Sequence, residues 1–452
     1  MHHLSSLLQR CVSAKSLCNS KALHAHLLTT GILADIYFQT KLLLAYAKCG
    51  DLHTASHLFD AINPKNDVAW NAILAGFSQH GHHQETLDAF SVMYKSAVAP
   101  DSYSFAGALV ASAALKQLVF GRQTHACIAK SGWGSSVFVA TALVDMYGKC
   151  SSVADSRKVF DEMPQRNAVT WNAMICACCA EEPDCQEGLV LFRQMVWTSG
   201  LAPDRFTLAA VLRLCSSTAA MEQGKQVHGH AIKRSLEDVF VQSCLVEMYS
   251  KCGFIEIARR VFERSKNRGD LVLWTAMISG YGKHGKSEQV VELFDRMLSE
   301  GIKPDDVTFV VVLSACSHQG LVNKGCNYFR SMVIHHGIQP KEEHYACLMD
   351  LLGRAGKLEE AWDLVKEIPT NAVSPSLWGA LLGACSNLAN LELGKQAAER
   401  VFELDPQNAR SYVVLSNLYA SVGRWEEIEE LRQKMNARGV KKEAGCSWIE
   451  MK

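Results

Sequence analysis

Four short motifs recur along this chain at one common spacing, and that repetition constrains the fold more than any local pattern. The markers are the tryptophan of W-N-A or W-T-A (Trp70, Trp171, Trp274), the tyrosine of Y-x-K-C (Tyr46, Tyr147, Tyr249), a histidine (His24, His125, His228) and the proline of P-D (Pro100, Pro203, Pro304). Consecutive members of each set lie 101 to 103 residues apart. Four markers that share a period indicate a tandem array, in which each unit contacts mainly its neighbours.

Each repeat unit is predicted to be a helical hairpin. Within 271–305, apolar residues recur at i, i+3, i+4 and i+7 from Trp274 to Tyr281, and the same period returns from Val290 to Leu298. The turn at 284–286 separates the two faces, and Ser287 is a favourable start for the second helix. Such a hairpin cannot bury two apolar faces alone, so it requires neighbours. No period-two pattern typical of strands is evident.

Alignment of the markers divides residues 1–373 into eleven units that follow a long, short and standard order. The units are 1–35, 36–66, 67–101, 102–136, 137–167, 168–204, 205–238, 239–270, 271–305, 306–341 and 342–373. The unit 168–204 carries extra residues around 181–184. Because Pro183 cannot continue a helix, we expect this insertion in the turn between the two helices of its unit.

Composition argues against several classes of protein. Lys plus Arg and Asp plus Glu both number 46, so bulk positive charge would not hold this chain on nucleic acid. No apolar run reaches the roughly 18 residues of a membrane span, and no membrane association is expected. Seventeen cysteines are present, and seven of them follow the repeat. We interpret these seven as small buried apolar residues in a reducing compartment: Cys11, Cys49, Cys150, Cys215, Cys252, Cys316 and Cys385.

The amino-terminal residues support two interpretations. Residues 1–34 contain no Asp or Glu, as is typical of an organellar transit peptide. However, their leucines and the segment L-H-A-H also match the repeat that begins at Ser102. We therefore assign them to the array, and a transit peptide is not evident in the chain.

At this point a resemblance becomes specific. The segments VFVATALVDMYGKC (137–150), SRKVFDEMPQRN (156–167) and WTAMISGYGKHG (274–285) resemble a plant organellar pentatricopeptide repeat protein of the PLS subclass. Residues 374–408 and 409–452 resemble the two carboxy-terminal E motifs of that subclass, although Ala444 stands where proline is usual. The resemblance covers essentially the whole chain. It implies an all-α fold, a right-handed superhelical α-solenoid of tandem helix-turn-helix repeats.

The fifth and last residues of the units are the candidate base readers. The fifth residues are polar in the short and standard units up to residue 305, where hydroxyl and amide groups match the donors and acceptors of base edges, whereas the later short unit has Ala346. The fifth residues are Thr40, Asn71, Thr141, Asn172, Ser243 and Thr275, and the last residues are Asn66, Asp101, Asn167, Asp204, Asp270 and Asp305. From periodicity alone, both sets could equally start or cap helices. The resemblance favours base reading, and the two roles are compatible.

The resemblance also implies a preferred base for each pair. Thr40 with Asn66 and Thr141 with Asn167 imply adenine. Asn71 with Asp101 and Asn172 with Asp204 imply a pyrimidine, uracil first. Ser243 with Asp270 implies a purine and Thr275 with Asp305 guanine. The long units pair Ala106 with Ser136 and Ala209 with Asp238, and we expect them to discriminate weakly.

Two further rows are candidate RNA contacts. The second residue of several units is apolar, which suits stacking on bases but equally suits packing between helices. This row is Tyr37, Val68, Phe138, Val169, Phe240 and Val272. The thirteenth residue of four units is a lysine that could face phosphate or simply solvent. This row is Lys48, Lys149, Lys251 and Lys283.

Catalytic motifs are not expected in this chain. Many relatives of the family carry a zinc deaminase, which requires H-x-E and P-C-x-x-C motifs. The chain has an H-x-E at His83 and a C-x-x-C at Cys176, but these lie in different repeats and Ile175 replaces the proline. The chain stops at Lys452, where the deaminase would begin. We therefore predict a binding protein that is not an enzyme and has no cofactor or metal.

The resemblance implies a specificity factor for organellar C-to-U RNA editing. Such a factor binds one single-stranded RNA and recruits a deaminase-bearing pentatricopeptide repeat protein, or other editing factors, in trans through its E motifs. One alternative is an RNA stabilisation or processing factor without editing. A second is a protein–protein scaffold, because 404–425 also resembles a tetratricopeptide hairpin. The expected location is the mitochondrion or the chloroplast, with the mitochondrion preferred, and no membrane or small-molecule partner is expected.

Overall fold

The computed structural model describes residues 2–96, 98–179, 185–266, 269–368 and 374–440. These residues form 26 α-helices and two short 3-10 helices, and no strand occurs among them. The predicted all-α solenoid of tandem helical hairpins is therefore confirmed. The insertion predicted at 181–184 and the proline position at Ala444 lie outside the described residues. No helix in the described ranges is long and apolar enough to cross a membrane.

The helices fall into two compact units. In residues 1–236 they are α1 (His2–Ala14), α2 (Leu17–Thr29), α3 (Ile36–Cys49), α4 (Leu52–Ala61), α5 (Asp67–Gln79), α6 (His83–Lys95), α7 (Ser102–Ala114), α8 (Leu118–Ser131), α9 (Val137–Lys149), α10 (Val153–Glu162), α11 (Ala168–Ala177), α12 (Cys185–Trp197), α13 (Arg205–Ser217) and α14 (Met221–Lys233). The 3-10 helices Ile32–Ala34 and Trp133–Ser135 precede α3 and α9.

The second unit, residues 237–452, continues the same alternation. Its helices are α15 (Val239–Lys251), α16 (Ile255–Arg264), α17 (Leu271–Lys283), α18 (Ser287–Ser299), α19 (Asp306–Gln319), α20 (Val322–Ile334), α21 (Glu342–Arg354), α22 (Leu358–Glu367), α23 (Pro375–Asn387), α24 (Leu391–Leu404), α25 (Ala409–Ser421) and α26 (Trp425–Ala437). Odd-numbered helices are the first helices of each hairpin, and even-numbered helices are the second.

Within each of the two compact units, neighbouring hairpins pack through their first helices. Thus α5 contacts α7, α7 contacts α9 and α15 contacts α17, while each second helix contacts its own first helix and the next one. This arrangement sets the first helices side by side. A given position of successive repeats therefore forms a row along that layer within each unit.

The repeated tryptophans and tyrosines form the core rather than the surface. Trp274 is fully buried, and its ring meets that of Phe262 edge to face at 5.0 Å. Trp70 and Trp171 make the same contact with Phe59 and Phe160, at 4.6 Å and 4.8 Å. In each case the phenylalanine belongs to the second helix of the preceding hairpin. The marker tryptophans are therefore scaffold, and they join one hairpin to the next.

Of the seven cysteines that follow the repeat, four are buried as predicted and three are not. Cys11, Cys215, Cys316 and Cys385 are buried, and burial raises the pKa of the Cys316 and Cys385 thiols to about 11. The three cysteines of the Y-x-K-C motifs are only half-buried, because they lie at helix ends: Cys49, Cys150 and Cys252.

Candidate nucleic-acid interface

In two repeats the fifth residue contacts the last residue of the same repeat. The contact forms because the fifth residue lies on the first helix of its own repeat, while the last residue caps the first helix of the next repeat. Asn71 lies on α5, and Asp101 is the residue that caps the start of α7. The Asn71 Nδ2 amide donates to Asp101 Oδ2 at 2.7 Å. The Asn172 amide donates in the same way to Asp204 Oδ1 at 3.2 Å. The structure thus brings together the two residues of both Asn–Asp pairs, which sequence periodicity could only align.

Two of the hydroxyl pairs meet through an intervening hydroxyl. Thr275 Oγ1 lies 3.0 Å from Thr308 Oγ1, which donates to Asp305 Oδ1 at 2.5 Å. Thr170 makes the corresponding link between Thr141 at 2.8 Å and Asn167 Oδ1 at 3.0 Å. Both intervening residues are the third residue of the following repeat, and both are fully buried. We call a hydroxyl residue at this position a bridging residue.

The remaining two hydroxyl residues have no bridging residue. Thr40 donates to the Ile36 carbonyl at 2.8 Å and Ser243 donates to the Val239 carbonyl at 2.9 Å, each within its own helix. The third residues of the following repeats are Ala69 and Leu273, which carry no hydroxyl. Thr40 and Ser243 are also buried, whereas Thr141 and Thr275 are half-buried.

All six last residues cap the first helix of the next repeat, as the capping interpretation expects. Each accepts a hydrogen bond from the backbone N–H three residues later, at 2.8 to 3.1 Å. This cap uses Oδ1 in every case. Among the described residues, the Nδ2 groups of Asn66 and Asn167 and the Oδ2 of Asp305 make no hydrogen bond. Capping therefore leaves a second polar group of these side chains for a ligand.

Two of the capping carboxyls are held ionised. Burial opposes ionisation of Asp101, but hydrogen bonds from Ser104, the Asn71 amide and the Tyr103 backbone together lower its pKa below the usual value. Asp204 responds in the same way: burial is outweighed by hydrogen bonds that lower its pKa. Both are therefore carboxylates at neutral pH and act only as hydrogen-bond acceptors.

The second residues form an exposed apolar row. The six predicted residues are 42 to 62 % exposed, although large apolar side chains are normally buried. Their exposure disfavours the alternative that they pack between helices. The second residues of three long units are exposed as well and extend the row beyond the six predicted residues, and their repeat position was the signal that could have identified them: Tyr103, Phe206 and Val307. Tyr103 and Phe138 even meet each other, with ring centroids 5.6 Å apart.

The four predicted lysines divide into two kinds. Lys149 pairs with Asp145 at 2.8 Å and Lys251 pairs with Glu247 at 2.7 Å, each one turn earlier on the same helix. Lys48 and Lys283 make no ion pair among the described residues. To bind a phosphate, Lys149 and Lys251 would therefore have to leave their carboxylate partners, whereas Lys48 and Lys283 would not.

One groove in the second compact unit combines all three predicted rows. Its volume is about 290 Å³, and it opens between α15, α17 and the start of α19. Its lining includes the second residue Val272, the pair Thr275 and Asp305, and the lysines Lys251 and Lys283. A flat ring could lie against Val272 there while its edge faces Thr275 and Asp305.

Three of the four long repeats, 102–136, 205–238 and 306–341, have an apolar fifth residue, and only 1–35 has a polar one, Ser5. Ala106 and Ala209 are buried on α7 and α13. Asp238 caps α15 through the Val241 backbone N–H at 2.9 Å. Among the described residues, no group of three His, Cys, Asp or Glu side chains could hold a metal ion.

Comparisons with known proteins agree on one family. The PPR repeat model matches residues 138–167, 169–197, 243–270, 307–335 and 343–371, the PPR repeat family model matches 65–109 and 269–318, and the E motif model matches 388–450. The Arabidopsis thaliana pentatricopeptide repeat-containing protein CRR2, chloroplastic, is 39 % identical over 98 % of this chain and 68 % of its own length. A mitochondrial Arabidopsis pentatricopeptide repeat-containing protein is 38 % identical over 99 % of this chain and 71 % of its own length.

Other similar proteins are longer than this chain. A further Arabidopsis pentatricopeptide repeat-containing protein is 41 % identical over 96 % of this chain, which spans 59 % of that relative's length. Among solved structures, the maize pentatricopeptide repeat protein PPR10 superposes with a TM-score of 0.73 at 18 % identity, covering 94 % of this chain and 62 % of PPR10. PPR10 in complex with an 18-nt psaJ RNA element superposes with a TM-score of 0.67 at 20 % identity, covering 92 % and 62 %.

Proposed function

Because this chain belongs to the pentatricopeptide repeat family and carries its E motif, we propose that it is a sequence-specific single-stranded RNA-binding protein that takes one base per repeat. The observation that carries the proposal is the pairing of fifth and last residues on adjacent first helices. Their hydrogen bonds leave particular donors and acceptors for a base edge, and these differ between repeats.

The Thr275 pair presents acceptors only. The Asp305 carboxylate accepts a hydrogen bond from the bridging Thr308 hydroxyl, so Thr308 in turn accepts a hydrogen bond from Thr275. Thr275 then presents lone pairs, and Asp305 Oδ2 presents more. A guanine edge offers the matching donors, N1–H and the N2 amino group.

The other pairs present different combinations. The Thr141 hydroxyl donates its hydrogen bond to the Val137 carbonyl or to Thr170, so it can only accept from a base. Asn167 presents its Nδ2 group to the base as a donor. Adenine complements this arrangement through its N6 amino group and N1. Asn71 uses one Nδ2 hydrogen on Asp101 and its Oδ1 on Ser104, which leaves the second Nδ2 hydrogen as a donor. Beside the Asp101 acceptor, this suits uracil, with its carbonyl oxygens and N3–H.

Stacking and charge supply the sequence-independent part of the binding. The exposed second-residue row covers the faces of the bases, as apolar and aromatic platforms do in other single-strand binders. Lys48 and Lys283 contact phosphates first, since neither has a carboxylate partner.

The biological role we assign is target selection for C-to-U editing in an organelle. The fifth-residue row ends its polar run at Thr275, and the E-motif region that follows would hold a deaminase-bearing protein in trans. Two relatives are named as chloroplastic or mitochondrial, which supports an organellar location without choosing between them.

Binding to a designed RNA tests the first part of this proposal. The pairs specify the core adenine, uracil, any, adenine, uracil, any, purine, guanine, in the order of the repeats from 36–66 to 271–305. We expect this RNA to bind at least about tenfold more tightly than one with the same composition in scrambled order, because several pairs contribute about 1 kcal/mol each. Equal affinity for both RNAs would contradict sequence-specific binding and favour a protein scaffold.

Transcript sequencing in a loss-of-function line tests the editing role. A single cytidine that remains unedited, just downstream of a match to the core, supports target selection for editing. Altered transcript ends or abundance with all cytidines edited would instead identify an RNA stabilisation or processing factor.

A further inference from the structure

Bridging residues recur in a pattern that the two base-reading positions do not explain. Beyond Thr170 and Thr308, the same position holds Ser104 and Thr207, both fully buried. Ser104 Oγ lies 2.8 Å from Asn71 Oδ1 and 2.8 Å from Asp101 Oδ1. Thr207 Oγ1 lies 2.9 Å from Asp204 Oδ1. In three of the six polar pairs a third hydroxyl therefore contacts both residues, whereas Thr207 contacts only Asp204 of its pair.

Because the bridging hydroxyl has a single proton, its hydrogen bonds restrict the orientation of the reader beside it. It has one proton and, in the Thr308 case, gives it to the Asp305 carboxylate, which cannot donate. The contact with Thr275 at 3.0 Å then requires Thr275 to donate. Beside Asn71, the single Ser104 hydroxyl proton lies between Asn71 Oδ1 and Asp101 Oδ1, while Asn71 Nδ2 donates to Asp101 Oδ2. Turning the amide over would set its oxygen against the Asp101 carboxylate, so the amide is held in one orientation.

From these contacts we propose that the third residue of the following repeat is a positioning residue for base selection. It fixes which way the proton of Thr275 points and which way the Asn71 amide is turned, and it joins Thr141 to Asn167. A reader held in one orientation presents only a donor or only an acceptor, whereas a free hydroxyl presents either. The inference rests on the proposed RNA binding and concerns how sharply each repeat discriminates between bases.

The chain contains its own contrast. The pairs Thr40 with Asn66 and Ser243 with Asp270 are followed by Ala69 and Leu273, so no hydroxyl reaches them from the next repeat. Their last residue is fixed only by the helix cap. Thr40 and Ser243 instead donate to carbonyls of their own helices, so no hydroxyl joins either reader to its last residue. These two repeats therefore select their base less sharply than the repeats in which a third hydroxyl contacts both residues.

The sharpest test replaces the Thr308 hydroxyl by a methyl group of similar shape. In Thr308→Val, Asp305 still caps the helix through the backbone N–H of residue 308, at 2.8 Å in the wild type, while the bridge is lost. The preference for guanine over adenine at that nucleotide should fall about fivefold, the effect of one hydrogen bond, with other nucleotides unaffected. Thr308→Ser keeps the hydroxyl and should keep the preference. Binding to RNAs that differ only at this nucleotide measures both, with thermal unfolding alongside.

Each outcome decides the matter. Unchanged guanine preference in Thr308→Val overturns the inference alone, and so does an equal loss in Thr308→Ser or a uniform loss at every nucleotide. A wild-type protein that binds all four RNAs equally overturns the proposed function as well. Thr170→Val repeats the test at adenine, should Thr308→Val fail to fold. In the opposite direction, Ala69→Ser adds the missing hydroxyl and should raise adenine preference at the Thr40 nucleotide by about the same factor.

Discussion

At the scale of single residues, the exchange of one amide for a hydroxyl should change the base that a repeat selects. Asn172 lies beside Asp204, and Thr207 already occupies the bridging position. Asn172→Thr therefore recreates the set of Thr275, Asp305 and Thr308. We expect the preference at its nucleotide to move from pyrimidine towards purine, guanine first, by about tenfold, since one donor becomes an acceptor.

Competition binding with four RNAs that differ at this nucleotide measures the shift. The reciprocal change, Thr275→Asn, is the matched control and should move its own nucleotide from guanine towards uracil. An Asn172→Thr protein that still prefers a pyrimidine would contradict the assignment of the fifth residue as a base reader.

The sequence predicted which residues line the candidate site but not how they are connected. Periodicity selected the fifth and last residues, because each position recurs once per repeat, and the family resemblance favoured them as base readers. It missed bridging residues such as Ser104 and Thr308, since their role depends on which residues of adjacent first helices come into contact. It also missed that Lys149 and Lys251 already have carboxylate partners one turn away, at Asp145 and Glu247. Those pairs were open to an i, i+4 inspection.

At the scale of helices, close packing of first helices should depend on small residues at their contacts. Gly148 on α9 faces Ala177 on α11, where an added Cβ would lie 2.5 Å from the alanine Cβ and 3.1 Å from its Cα. The neighbour there is partly backbone, which cannot move aside as a long side chain can. Gly148→Ala should therefore destabilise the protein by about 1–3 kcal/mol through overpacking.

Thermal or denaturant unfolding measures this effect, with a second glycine as the control. Gly107 lies inside α7 with nothing within 4 Å of an added Cβ. Gly107→Ala should be neutral or stabilising by up to about 1 kcal/mol, because alanine favours the helix. If both variants unfold alike, the close approach of α9 and α11 is not a packing constraint.

The start of one second helix could be predicted from the sequence. The second helix predicted to start at Ser287 does begin there, as α18, and the preceding residue Lys286 has its carbonyl bonded to the Val290 N–H at 3.1 Å. Recurrent markers made this possible, since one hairpin located the others. Burial of a particular cysteine was less predictable. Cys252 and Cys316 both follow apolar helix segments, yet only Cys316 lies inside a helix rather than at its end.

At the scale of the whole molecule, balanced charge should make RNA binding only weakly dependent on salt. Basic and acidic residues both number 46, and many basic side chains already link neighbouring hairpins. Arg122 pairs with Asp155 at 2.8 Å, and Arg296 pairs with Glu263 at 2.9 Å. Affinity must then come largely from stacking and from base edges, neither of which releases counterions on binding.

The slope of log affinity against log salt checks this balance. With single-stranded RNA, each phosphate contact contributes about −0.7, so the four-lysine row allows at most about −3. Lys283→Ala should reduce the steepness by about 0.7, because Lys283 has no carboxylate to leave. Lys149→Ala should reduce it by less, since Asp145 already neutralises that lysine. A wild-type slope steeper than about −5 would mean that binding follows bulk charge, and the paired and unpaired lysines would then lose their distinction.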